Sequence, residues 1–93
     1  MATDFEWDPD KAATNLKKHG VSFEEATTAF FDALSITIDD PLHSEREQRS
    51  VLVGQCSSGH LLVVVHIDRG GRIRLISART ATRKERRDYE EAN

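Results

Sequence analysis

The residues with the clearest chemical potential are the arginines of the C-terminal half. Residues 49–93 carry 9 Lys+Arg against 5 Asp+Glu, whereas residues 1–48 carry 4 against 11. Eight of the nine cations are arginines: Arg49, Arg69, Arg72, Arg74, Arg79, Arg83, Arg86 and Arg87. Arginine offers planar, bidentate donors that match phosphate or carboxylate groups. The clustering favours an anionic partner, either RNA or an acidic protein, while a solvated face that pairs with the acidic half is the simpler alternative.

Length and composition indicate one small globular domain, which we place at residues 1–93. Apolar residues make up 38% and charged residues 31% of the chain, which is typical of a folded rather than a disordered protein. The longest strongly apolar run, residues 61–65, is too short to cross a membrane. The acidic N-terminus is unlike a signal peptide, so we expect a cytoplasmic protein.

Neither a metal site nor a cofactor is expected from the motifs. Cys56 is the single cysteine, so no internal disulfide can form. The four histidines and Cys56 show no metal-ligand spacing, which argues against zinc. Gly70-Gly71 is too short to cradle a phosphate and is typical of a hairpin turn.

Local signals predict three helices. Asp8-Pro9 starts the first helix and Gly20 ends it, because Asp caps free N–H groups and Gly adopts left-handed backbone angles. A capping box beginning at Ser22 starts the second helix at once. Thr82 caps a final, highly charged helix over residues 83–91.

Four strands are predicted between these helices. Apolar residues alternate over 34–38 and again over 51–53, and the run 61–67 is apolar on both faces, as in a central strand. In the last strand, Ile73, Leu75 and Ser77 should face one way, and Arg72 and Arg74 the other. The order ααββββα predicts an α+β fold, with two N-terminal helices packed on a four-stranded antiparallel sheet and a C-terminal helix. The other sheet face should be partly open and lined with arginine.

Taken in order, the motifs resemble one family over nearly the whole chain. The N-terminal part reads Phe5-Glu6-Trp7-Asp8, Lys11-Ala12, Asn15, Lys18-His19-Gly20-Val21 and Phe23-Glu24-Glu25-Ala26. The rest reads Asp40, His43-Ser44, Glu47, Arg49, Gly54, Arg69, Arg74, Ile76-Ser77-Ala78-Arg79, Glu85-Arg86 and Tyr89. This ordered set is similar to the BrnT family, the toxins of type II toxin–antitoxin pairs.

The resemblance implies a RelE-like fold and a ribonuclease activity that needs no metal and inhibits translation. It also implies a BrnA-type antitoxin, a ribbon–helix–helix protein, in a complex of two toxins and two antitoxins. DNA would be bound only through the antitoxin, and no membrane would be involved.

Metal-free cleavage of RNA needs clustered cations and one group that exchanges a proton. Arg49, Arg69 and Arg79 stand at strand ends or beside turns and match the family pattern, so they are the first candidates for phosphate contact. The alternative for each is an ion pair, with Glu47, Asp68 and Glu85 as the respective neighbours.

The candidates for proton transfer are His43, His66, His19 and Glu47, and histidine is suited to this role because it titrates near neutral pH. We assign His43 and His66 to the catalytic site, and the alternative for His19 is a cap at the end of the first helix. The alternative for His43 is a turn residue, and for His66 a packed residue of the central strand. Lys18, Arg72, Arg74 and Tyr89 are the expected substrate-binding residues. A solvated helix end is the alternative for Lys18, and packing of the last helix for Tyr89. A non-catalytic domain that binds RNA or docks a protein through its arginines is the alternative function.

Overall fold

The described part of the chain has an α+β fold of three helices and one five-stranded mixed sheet. The structure is a computed structural model that describes residues 4–40 and 48–93. Its elements are β1 (Asp4–Glu6), α1 (Pro9–His19), α2 (Phe23–Thr28), a 3₁₀ turn (Ala29–Phe31), β2 (Ile36–Asp39), β3 (Arg49–Gln55), β4 (Leu61–Asp68), β5 (Arg72–Thr80) and α3 (Arg83–Glu91). Within the described ranges, none of the helices has the length and apolar character that a membrane span requires.

The caps that the sequence predicts begin and end the helices. The Asp8 carboxylate accepts a hydrogen bond from the Asp10 N–H, and Gly20 ends α1 with φ +72°. Ser22 caps α2 by accepting from the Glu25 N–H. At α3, Thr82 and Glu85 form a reciprocal capping box. Because these signals are local, they operate without help from the rest of the fold.

The sheet differs from the prediction of four antiparallel strands. Its order is β1-β5-β4-β3-β2, and β1 pairs with β5 in parallel, with Glu6 beside Arg74. The other three pairings are antiparallel, as expected. The three residues of β1 are too few for a period-two pattern to be visible, and their partner lies almost seventy residues away along the chain.

Each face of the sheet carries its own apolar cluster. On the α1–α2 face, Phe23 packs with Leu62, Val64 and Leu75, and all four are almost completely buried. Phe5 and Trp7 join this side through edge-to-face contacts with Phe30 and Phe23, respectively. On the α3 face, the smaller cluster comprises Val53, Leu61 and Val63 with Ile36, Val51, Ala81 and Tyr89.

A bulge in β5 corrects the predicted orientation of its second half. Val65 and His66 are consecutive in β4, yet they pair with Ser77 and Leu75, so Ile76 is an extra residue in β5. A bulge of one residue reverses the faces of everything beyond it. Ser77 therefore leaves the face of Leu75, where simple alternation had placed it.

Asn15 connects α1 to the second half of β5. Its buried amide donates to the carbonyl oxygens of Val21 (3.0 Å) and Ala78 (2.8 Å), and it accepts from the Ala78 N–H (3.0 Å). These three bonds place α1 directly against the strand that carries most of the arginines in the sheet.

Candidate functional site

Three arginines converge on one carboxylate at the end of the sheet where the β4–β5 hairpin lies. The guanidinium nitrogens of Arg74, Arg72 and Arg69 lie 3.1, 3.4 and 3.7 Å from the Glu6 oxygens. The parallel pairing of β1 places Glu6 beside Arg74, and Arg72 shares that face two residues earlier. The tight hairpin at Gly70-Gly71, both with positive φ, returns Arg69 to the same place. We call Arg69, Arg72, Arg74 and Glu6 the arginine cluster.

The three guanidinium groups of the arginine cluster surround one ionised carboxylate. Hydrogen bonds from Arg74 lower the pKa of Glu6, burial opposes them, and Arg72 adds to the lowering. Glu6 is therefore a stable anion at neutral pH. Its two oxygens are divided among three guanidinium groups, and guanidinium donors concentrated in this way match the geometry of a phosphate.

Arg49 belongs to the same end of the sheet. Arg49 pairs with Ile67 across β3 and β4, and Ile67 pairs with Arg74 across β4 and β5. Two strand spacings, about 10 Å, therefore separate the backbones of Arg49 and Arg74. The Asp40 N–H donates to the Arg49 carbonyl oxygen (2.9 Å), so the chain enters and leaves the 41–47 segment beside Arg49. His43 and Glu47 lie outside the described residues.

Arg79 occupies a different setting, in a two-pronged ion pair with α3. Its two terminal nitrogens each lie 2.7 Å from a Glu85 oxygen. The hydrogen bonds from Arg79 are the main reason that the pKa of Glu85 falls to about 2, and Glu85 in turn raises the pKa of Arg79. Simple alternation pointed Arg79 toward the Ile73–Leu75 face. The bulge places it beside Val63 on the α3 face instead.

His66 is a packed residue of the α1–α2 face, which matches the alternative of a packed residue of the central strand. It is only 5% exposed, and its ring meets Phe30 edge to face at 4.8 Å. Its Nδ1 lies 3.2 Å from the Val64 carbonyl oxygen, to which it donates. Burial lowers its pKa. The arginine cluster lies on the other side of the sheet, so the two are not brought together.

Tyr89 and Lys18 also lie away from the arginine cluster. The Tyr89 hydroxyl donates to Asp32 (2.6 Å), which raises the pKa of Tyr89 to about 12, and the ring packs against the apolar residues of the α3 face. This contact matches the packing alternative for Tyr89. Lys18 lines a shallow cleft between α1 and β5 with Lys11 and Ser77.

An apolar groove lies on the α3 face, over β2 and β3. Its floor comprises Ile36, Ile38, Val51 and Val53, and α3 forms one wall with Lys84, Glu85 and Asp88. Ile38 is 60% exposed, although it is a large apolar residue.

The sequence candidates therefore separate into two groups. The structure brings Arg49, Arg69, Arg72 and Arg74 to one end of the sheet, and it holds His66, Arg79, Tyr89 and Lys18 elsewhere. Glu6, which organises the cluster, was not among the predicted site residues. Its place in the Phe5-Glu6-Trp7-Asp8 motif was the available signal, but only the parallel pairing of β1 reveals what it contacts.

Comparison with known proteins agrees with this fold. A family model described as "Ribonuclease toxin, BrnT, of type II toxin-antitoxin system" matches residues 7–85. The crystal structure of the Brucella abortus ribonuclease toxin BrnT is similar, with a TM-score of 0.64 and 21% sequence identity over 88% of this chain and 100% of that chain. No curated protein matches the chain. Because the family model spans most of its length, the protein belongs to the BrnT family of ribonuclease toxins of type II toxin–antitoxin systems.

Proposed function

We propose that this protein is an endoribonuclease toxin that cleaves mRNA without a metal ion and thereby inhibits translation. The observation that carries the proposal is the arginine cluster, where three guanidinium groups share the single carboxylate of Glu6. A phosphate diester is the anion that such a surface fits in a ribonuclease family. Since the substrate is mRNA, we also propose that the protein acts in the cytoplasm.

The proposed reaction is transphosphorylation by the neighbouring 2′-hydroxyl of the RNA. The 2′-oxygen forms a bond to phosphorus as a base removes its proton, and the bond from phosphorus to the 5′-oxygen breaks as an acid protonates that oxygen. The negative charge that accumulates on the phosphoryl oxygens is stabilised by positioned cations, which in enzymes often contribute about 3–4 kcal/mol each. We assign this role to Arg49, Arg69 and Arg74, with Arg72 binding an adjacent phosphate.

For proton transfer we propose His43, because the described chain on either side of its segment lies beside Arg49. Burial of His66 on the opposite face favours a role in packing instead. Arg79 donates both of its terminal nitrogens to Glu85 of α3, so we propose that it positions α3 and does not bind the substrate. Lys18 and Tyr89 receive no contact with the scissile phosphate in this scheme.

We further propose that a BrnA-type ribbon–helix–helix antitoxin silences the toxin, in a complex of two copies of each. DNA would then be bound through the antitoxin alone. The apolar groove supports a protein partner, because Ile38 in its floor is a large apolar residue that is 60% exposed. A partner seated in this groove would lie close to Arg49, which precedes Val51 by two residues on β3.

The activity can be tested by inducing the chain alone in a bacterium and following growth and RNA integrity. We expect growth arrest and RNA fragments. Arg49→Ala should abolish both effects, whereas Arg87→Ala, an exposed arginine of α3, should leave them unchanged. Normal growth with intact RNA would refute the toxin proposal for this chain.

Purified protein separates cleavage from the alternative of a non-catalytic RNA-binding or docking domain. We expect cleavage to persist in excess EDTA and to leave 2′,3′-cyclic phosphate ends. RNA binding without products would support the binding-only alternative. Cleavage that EDTA stops, with metal restoring it, would contradict the proposed mechanism.

The antitoxin contact can be tested by co-expression with the neighbouring ribbon–helix–helix gene product. Ile38→Asp should weaken the complex by at least about tenfold, because a charge would enter an apolar contact. Leu16→Asp, which changes an exposed apolar residue of α1, is the matched control. Equal binding by both variants would exclude the groove as the contact.

A further inference from the structure

We propose that Glu25, Cys56 and His60 form a binding site for a divalent transition metal ion, zinc in the first place. One ligand atom of each residue lies within 4.8 Å of the other two, which makes them a three-ligand group within the described residues. The Cys56 Sγ lies 3.3 Å from Glu25 Oε2. Tetrahedral zinc with bonds of about 2.0–2.3 Å holds its ligands about 3.3–3.8 Å apart, so this pair already has the spacing of two ligands of one ion.

The fold brings these residues together from two elements. Cys56 and His60 flank the turn that joins β3 to β4, and the Cys56 N–H donates to the His60 carbonyl oxygen (2.9 Å), which closes the turn. Glu25 lies in the first turn of α2. The Ser57 N–H donates to the Thr28 hydroxyl (2.8 Å), and this bond holds the turn against the end of α2. The backbone therefore positions the three side chains independently of any contact between them.

Ser58 lies at the centre of the three side chains. Its hydroxyl is 3.2 Å from the Cys56 Sγ, 3.0 Å from the His60 Nδ1, and hydrogen-bonded to Glu25 Oε2. The position of this oxygen is within bonding distance of all three groups, so it indicates where an ion could lie between them. Ser58 is exposed, so rotation about its Cα–Cβ bond can vacate this point for an ion.

The chemistry of the three donors selects the class of metal. Thiolate and imidazole favour zinc and similar transition ions, whereas magnesium and calcium prefer oxygen ligands alone. On binding, the Cys56 thiol loses its proton to solvent, and the ion forms bonds to sulfur, an imidazole nitrogen and a carboxylate oxygen. Hydrogen bonds from Ser58 and Cys56 lower the pKa of Glu25, so its carboxylate is already ionised at neutral pH. Water can supply the fourth ligand.

This site is separate from the proposed catalytic surface. The β3–β4 turn and the β4–β5 hairpin lie at opposite ends of β4, which spans about 23 Å for a strand of this length. An ion there would link α2 to the sheet and leave the arginine cluster untouched. Metal binding at this site is therefore compatible with RNA cleavage that needs no metal, and its failure would not affect that proposal.

Cobalt titration of the full-length protein is the direct test. Cys56 is the only cysteine, so a thiolate-to-cobalt charge-transfer band can arise from this residue alone. We expect that band together with the visible spectrum of tetrahedral cobalt, saturation at one ion per chain, and displacement of cobalt by zinc. Zinc should also raise the melting temperature of the wild type.

Three variants separate metal binding from a simple hydrogen-bonded cluster. Cys56→Ser should remove the charge-transfer band, and His60→Asn should weaken zinc binding at least about tenfold, as expected on loss of a ligand. Ser58→Ala removes the central hydroxyl but no ligand, so it should keep zinc affinity within about threefold. Circular dichroism would verify that each variant is folded. Absence of the band in folded wild type, or zinc affinity in Cys56→Ser and His60→Asn equal to that of the wild type, would overturn the proposal.

Discussion

The α3 face of the sheet holds its arginines in two opposite ways. At one end, three guanidinium groups share the carboxylate of Glu6. At the other end, a single arginine, Arg79, donates to both oxygens of Glu85. The second arrangement balances its charges and fixes its geometry, because a bidentate pair leaves little freedom to either side chain. In the first, the two oxygens of Glu6 are divided among three guanidinium groups. Arginine clustering in a sequence therefore combines two roles, and only the local ratio of cations to carboxylates separates them.

The largest expected effect is that one substitution should reduce activity and the other should reduce stability. Arg74→Ala should reduce RNA cleavage about 100-fold, the usual cost of losing a positioned charge, with little change in melting temperature. Arg79→Ala should do the reverse, because it removes the bond between β5 and α3. Cleavage rates and thermal unfolding of both variants would settle the matter. A similar loss of activity in both, at equal stability, would place Arg79 in the substrate site.

Removal of Glu85 should cost the most stability of any single carboxylate in the described chain. Glu85→Ala eliminates the Arg79 pair and half of the α3 capping box at once. We expect a decrease of about 1–2 kcal/mol in the free energy of unfolding. Urea denaturation measures it, with Glu91→Ala at the end of α3 as the control.

The stabilising effect of the Arg79–Glu85 pair should decrease in acid. The pKa of Glu85 is about 2 in the folded protein and about 4.5 when unfolded, so its stabilising effect is complete above pH 4.5 and is lost as the pH falls toward 2. The difference in unfolding free energy between wild type and Glu85→Gln should shrink over this range. A difference that stays constant from pH 6 to pH 2 would contradict the assignment.

The smallest expected effect comes from the shared carboxylate. Glu6→Gln removes the only negative charge in the arginine cluster, so RNA should bind about three to ten times more tightly at low salt, with a steeper salt dependence. Fluorescence anisotropy with a short RNA measures this gain. Glu85→Gln should give no such increase, and an equal increase in both would erase the distinction between the two ends.

Much of this fold could be predicted because its determinants are local. Asp8, Gly20, Ser22 and Thr82 begin and end helices through bonds that reach at most four residues. The hairpin at Gly70-Gly71 depends only on its own backbone angles. The α+β class and the central position of β4 followed from these signals and from the apolar run of residues 61–67.

The errors arose where distant parts of the chain meet. The pairing of β1 with β5 depends on a partner almost seventy residues away, so neither the fifth strand nor the role of Glu6 was predictable. The bulge at Ile76 has no signature in the side-chain pattern, and it reversed the expected face of Ser77 and Arg79. The Glu25, Cys56 and His60 group was missed for the same reason, because one of its members comes from α2.

The three hydrogen bonds of Asn15 have a consequence for how this protein behaves among other chains. Along β5, β1 covers only residues 72–74, so within the described ranges the strand beyond them has no neighbour on that side. An open strand edge is a template for aggregation. The Asn15 amide occupies the N–H and carbonyl of Ala78 as an adjoining strand would. One side chain thus occupies backbone groups of this edge that a strand of another chain would otherwise need for pairing.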